Sequence, residues 1–111
     1  ETYNLVDLNL SQDERSALVE FYSEHSPANH QDKTVVIAKW LKDVKGIDEV
    51  NKDIVFTVLR TLGESTSFNI SQALVNAKNL KSFFVSTEAG KFKINHIGED
   101  HVDRDLVGKD K

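Results

Sequence analysis

KDIVFTVLRTLGESTSFNISQALVNAKNLKSFFVSTEAGKFKIN, residues 52–95, changes its hydrophobic period partway along, and that change decides the fold. From Lys52 to Leu62 the apolar residues Val55, Val58, Leu59 and Leu62 recur at i, i+3, i+4 and i+7. This is one face of a helix, and Gly63 follows where a C-terminal cap belongs. A Ser/Thr-rich turn, Glu64 to Ser67, leads to a second helix, which Asn69 caps and whose inner face is Ile70, Ala73, Leu74 and Ala77. The period then becomes two. Phe83, Phe84 and Val85 form a short apolar run, Glu88-Ala89-Gly90 supplies a turn, and Phe92 and Ile94 alternate with Lys91, Lys93 and Asn95, so a hairpin is expected.

Two more helices precede this stretch. Ser11-Gln12-Asp13-Glu14 has the form of a capping box and predicts a helix from Ser11 to His25, with Leu18, Phe21 and Tyr22 as its buried stripe and Pro27 beyond its end. The next is expected from Gln31 to Lys45, with Ile37, Trp40, Leu41 and Val44 inward, Trp40 at the centre of the core and Gly46 as terminator. Ile47 to Val50 leaves room for only a very short strand before Asn51 caps the helix that follows. Tyr3 to Leu10 alternates in part and fits either an added strand or an arm lying on the domain. Asn9-Leu10-Ser11 and Asn69-Ile70-Ser71 match glycosylation acceptors and are read here as capping sequences.

A chain of 111 residues fits one domain with a real core. It has no run near the roughly 20 apolar residues of a spanning helix and no export-type N-terminus. With no Cys it can form neither a disulfide nor a thiolate site, which favours an intracellular setting, cytoplasmic or nucleoid-associated. It also lacks Met, so a domain cut from a larger protein is the expectation. The net charge of -4 is unevenly spread. Residues 1–32 hold seven acids and one base, whereas residues 65–95 hold four lysines and one acid, so the helix-turn-hairpin half is the basic half.

Phe92-Lys93-Ile94-Asn95-His96-Ile97-Gly98, followed by Val102 and Leu106, resembles the passage in winged helix-turn-helix domains where the last wing strand runs through a polar cap into a helix. Asn95 stands where Thr is usual and caps at least as well. The resemblance covers residues 31–106 and is one of fold. It implies a mainly α domain with a small β-hairpin, in the order helix, helix, helix, helix, hairpin, helix. On this division residues 1–30 are an arm and acidic helix packed on a winged-helix core of residues 31–107, and residues 108–111 are a disordered tail.

The resemblance further implies that Asn69 to Leu80 is the recognition helix. With its apolar residues inward, the opposite face presents Gln72, Val75, Asn76 and Asn79, flanked by Ser71 and Lys78. Asn and Gln can bond both N7 and the N6 amine of adenine, and Val75 can meet a thymine methyl, so these four residues are the candidate base contacts to double-stranded DNA. Ser71, Lys78, Lys81, Lys91 and Lys93 are the candidate phosphate contacts, which fix register rather than sequence. No Arg lies between Arg60 and Arg104, so the commonest contact to guanine is missing.

The rival reading is a protein-interaction module with no nucleic-acid contact. It would use the acidic first helix, with Asp13, Glu14, Glu20 and Glu24, or the hairpin, where one of Phe83 and Phe84 should point away from the buried face because side chains alternate along a strand. A homodimer is compatible with either. No enzyme, cofactor or metal is expected. His96 and His101 lie near Glu99 and Asp100, but at i and i+5 they do not share a helical face, and His25 and His30 are read as solvated loop residues.

Overall fold

The computed structural model describes residues 2–106. Side-chain caps start its helices. α1 (Gln12–His25) opens on the expected capping box, in which Glu14 N donates to Ser11 Oγ at 3.1 Å and Ser11 N donates to Glu14 Oε1 at 2.9 Å. Asn29 caps α2 (His30–Trp40), Asn51 caps α3 (Lys52–Leu62), Asn69 caps α4 (Ile70–Asn79) and Asn95 caps α5 (His96–Asp100). In each case a side-chain oxygen accepts from the amide three residues on, satisfying a donor that the helix itself leaves unpaired. Gly63, at φ +75, ends α3 in the left-handed conformation that favours glycine.

Among the described residues three strands complete the architecture: β1 (Glu49–Val50), β2 (Phe84–Glu88) and β3 (Lys91–Ile94). They form an antiparallel sheet in the order β1-β3-β2. The expected hairpin is therefore joined by a third strand that pairs Glu49 with Lys93 and Val50 with Phe92. The element order gains a strand between the second and third helices. The domain is mainly helical with a small sheet at one side.

α2 is the hub. Val35, Val36, Ile37, Ala38 and Trp40 are all buried, and α1, α3, α4, α5 and β3 pack around them. Four consecutive apolar residues, Val35 to Ala38, reach round most of the helix and must be enclosed in this way. Val35, Val36 and Ile37 each contribute roughly 1.5–3 kcal/mol by leaving water. Trp40 belongs to this core, as expected, but Val44 does not. α2 runs into a π-helical turn, Leu41–Lys45, whose wider winding carries Val44 off the buried face and leaves it 47% exposed.

Polar links tie the layers together. Burial works against the charge on Lys39, but its hydrogen bond to Asp43 and the charges of Asp43, Asp103 and Glu99 outweigh that and raise its pKa. Lys42 Nζ donates to Glu99 Oε2 at 2.8 Å, so Glu99 joins the end of α2 to α5. Burial, then the charge of Glu64 and a hydrogen bond to it, push the Tyr22 hydroxyl well above its usual range.

Residues 2–10 form an arm, not a strand. Asn4 N donates to Asp53 Oδ1 at 3.0 Å, Val6 N donates to Thr57 Oγ1 at 2.9 Å, and Leu8 is buried. Tyr3 stacks on Phe56 with 5.1 Å between ring centroids, which lays the arm along α3. Leu18 and Tyr22 of α1 lie in the same core cluster as α2. The tail, residues 108–111, lies outside the described residues.

Candidate nucleic-acid interface

α4 is held at its first turn by two side chains. Asn69 Oδ1 accepts from Gln72 N at 3.0 Å, and the Tyr3 hydroxyl accepts from Ile70 N at 2.9 Å. Ile70, Ala73, Leu74 and Ala77 are buried, as the helical spacing predicts. That fixes the rotation of the helix. Gln72, Val75 and Asn79 are exposed, Asn76 is half-buried, and Ser71 and Lys78 are half-buried on the flank.

The amides on this face are not independent. Gln72 Nε2 donates to Asn76 Oδ1 at 2.9 Å along the i, i+4 row. The face carries hydrogen-bond donors and acceptors and the aliphatic Val75, with no carboxylate. Lys78 and Lys81 form no ion pair among the described residues. Lys81, just past the helix, is exposed.

A cleft of about 300 Å³ opens beside α4, between the start of α3 and the hairpin turn. Ser71, Leu74 and Val75 form one wall, Ala89 to Phe92 another, and Asn51 to Asp53 the third. The structure thus brings Ser71, Val75 and Lys91 together. Lys91 also meets Glu88 at 3.4 Å in an exposed pair that salt would screen. Lys93 is placed elsewhere. It is exposed on β3 in register with Glu49 on β1 and borders a separate depression with Ile47, Asp48 and Thr87.

Phe83 and Phe84 are both buried, so neither offers the exposed ring that alternation suggested. Phe83 lies outside β2, after Ser82 at φ 62, and escapes the alternation rule. It stacks on His101 at 4.6 Å between centroids. The histidines are more engaged than loop residues would be. His25 is buried at the end of α1, with Nδ1 2.8 Å from Phe21 O, and His30 stacks on Phe68 at 3.8 Å. His101 lies between Asp32, 2.8 Å from Nε2, and Asp105, 3.0 Å from Nδ1. Among the described residues no group of three or more His, Asp or Glu side chains is placed to hold a metal ion.

Two residues that the sequence did not single out lie at the candidate interface. Lys52 borders the cleft, and its position directly after the Asn51 cap was the available signal. Tyr3 buttresses the start of α4 across 67 positions, and nothing local in the sequence points to that contact. Compared with protein families, curated proteins and solved structures, the chain matches none of them.

Proposed function

We propose that this chain is a non-enzymatic winged helix-turn-helix domain that binds double-stranded DNA, with α4 as the reading helix and the β2–β3 turn as the wing. The observation that carries the reading is the outer face of α4. It presents amides and an aliphatic side chain without a carboxylate, it is flanked by Lys78 and Lys81, which form no ion pair among the described residues, and it opens toward Lys91 across the cleft. Such a face suits base edges at its centre and phosphates at its margins. The element order, with the capped passage from β3 into α5, supports the fold assignment.

The test is a salt titration of binding to mixed-sequence and A·T-rich duplexes, with amide chemical-shift mapping on the same sample. Affinity should fall steeply as salt rises, with shifts concentrated at Asn69 to Lys81 and at the hairpin turn. No binding near about 50 mM salt, where the phosphate contribution is strong, would sink the proposal. The second reading, a protein-docking module, now rests on α1. Its Asp13, Glu20 and Glu24 are exposed beside Val19, which is 46% exposed, whereas the hairpin phenylalanines are buried.

A further inference from the structure

We infer that Gln72 reads adenine through its N7 and N6 edge, and that Asn76 is a positioning residue that holds Gln72 in the orientation this requires. The inference rests on the DNA-binding reading above and names what the helix recognises.

A free glutamine on a helix surface samples many rotamers, and ordering it on binding costs affinity. Here Gln72 Nε2 already donates to Asn76 Oδ1 at 2.9 Å. An amide nitrogen carries two hydrogens, so Gln72 still offers one N–H beside its Oε1, which accepts no hydrogen bond among the described residues. A donor next to an acceptor matches adenine, whose major-groove edge offers N7 as acceptor and the N6 amine as donor. Guanine presents two acceptors there, N7 and O6, and would leave Oε1 facing O6. Asn76 is half-buried, with its oxygen committed to Gln72, and so acts through its neighbour. Val75, 36% exposed on the same face, supplies an apolar surface for a thymine methyl. Asn69 cannot share the reading role, because its Oδ1 caps the helix at Gln72 N. Charge complementarity selects the occupant, since Lys78 and Lys81 flank this carboxylate-free face and Lys91 lies across the cleft.

The test compares an A·T-rich duplex with the same duplex carrying 7-deazaadenine at every adenine. This removes the N7 acceptor and leaves the pairing and phosphates intact, and it needs no altered protein. The full chain should bind the modified duplex about five- to tenfold more weakly, in the range of one lost bidentate contact. Gln72→Ala should bind both duplexes alike. Asn76→Ala should lose most of the discrimination while keeping the salt dependence, which a general loss of structure would not do. Salt-dependent binding that ignores the 7-deaza change overturns adenine reading and leaves DNA binding standing. Discrimination that survives in Gln72→Ala overturns the assignment to Gln72. No binding to either duplex overturns both the inference and the reading beneath it.

Discussion

The Tyr3 hydroxyl accepts a hydrogen bond from the backbone amide of Ile70 at 2.9 Å and lies 3.4 Å from the carbonyl of Phe68. The amide of a helix's first residue has no partner within the helix, so the arm completes the capping that Asn69 begins. Tyr3→Phe keeps the ring on Phe56 and removes only the hydroxyl. It should cost about 1 kcal/mol in urea denaturation and speed amide exchange at Ile70. Unchanged exchange there would show that the arm does not support α4.

Gly98 lets α5 lie close against Phe83 and Ile94. A Cβ at this position would stand 2.6 Å from the Phe83 carbonyl oxygen and 2.8 Å from Ile94 Cγ1. The same oxygen accepts from Asn95 N at 3.0 Å, so it cannot retreat without loosening the entry to α5. Gly98→Ala should destabilise the domain by about 1–3 kcal/mol despite alanine's better helix propensity. Thermal unfolding decides it, and a melting temperature equal to wild type would mean that the contact relaxes freely.

Acid and alkali should act on different links. The hydrogen bond from the backbone of Ser11, then that from Lys45, lower the Glu14 pKa. A lowered folded-state value means that Glu14's contribution is complete above the ordinary value of 4.5 and is lost as pH falls below it. The stability gap between wild type and Glu14→Gln should therefore close in acid. Lys39 is raised, so its contribution is complete below 10.5 and is lost as pH climbs through the folded-state value. Lys39→Met should differ most from wild type at neutral pH and least in strong alkali. Gaps that stay constant with pH would contradict both assignments.

The structure divides the candidate phosphate-contacting lysines between α4 and the sheet. Lys78→Ala and Lys81→Ala should each weaken binding to all duplexes and lower the salt slope by about one. Lys93→Ala, opposite Glu49, should change neither appreciably. Binding isotherms at several salt concentrations check this. A drop of about one in the slope for Lys93→Ala would put DNA across the outer face of the sheet instead of along α4.

The helices of this domain were legible because their punctuation is local. Ser11 with Glu14, Asn51, Gly63, Asn69 and Asn95 act within a few residues of their own position, and the sequence displays each one. What could not be read depends on distant partners or on irregular winding. β1 has two residues, too few for a period, and exists only because β3 is there to pair with it. Val44 followed α-helical spacing on paper, but the π turn displaces it. In the candidate site, the rotation of α4 followed from Ile70, Ala73, Leu74 and Ala77. The bond between Gln72 and Asn76 was consistent with their spacing but not dictated by it. Lys93 could not be set apart from Lys91, since both alternate outward from the strand and only the register with Glu49 distinguishes them.

The sheet ends differently on its two sides. One margin is the two-residue β1, and the other is β2, where the register shifts between Ser86 and Glu88. A bulge bends its strand and increases the local twist. β2 therefore keeps a regular pairing only over Phe84, Val85 and Ser86. Neither margin offers the long, flat row of backbone groups on which a foreign strand can grow, so the geometry that shapes the hairpin also guards the domain against fibril-like stacking at high concentration.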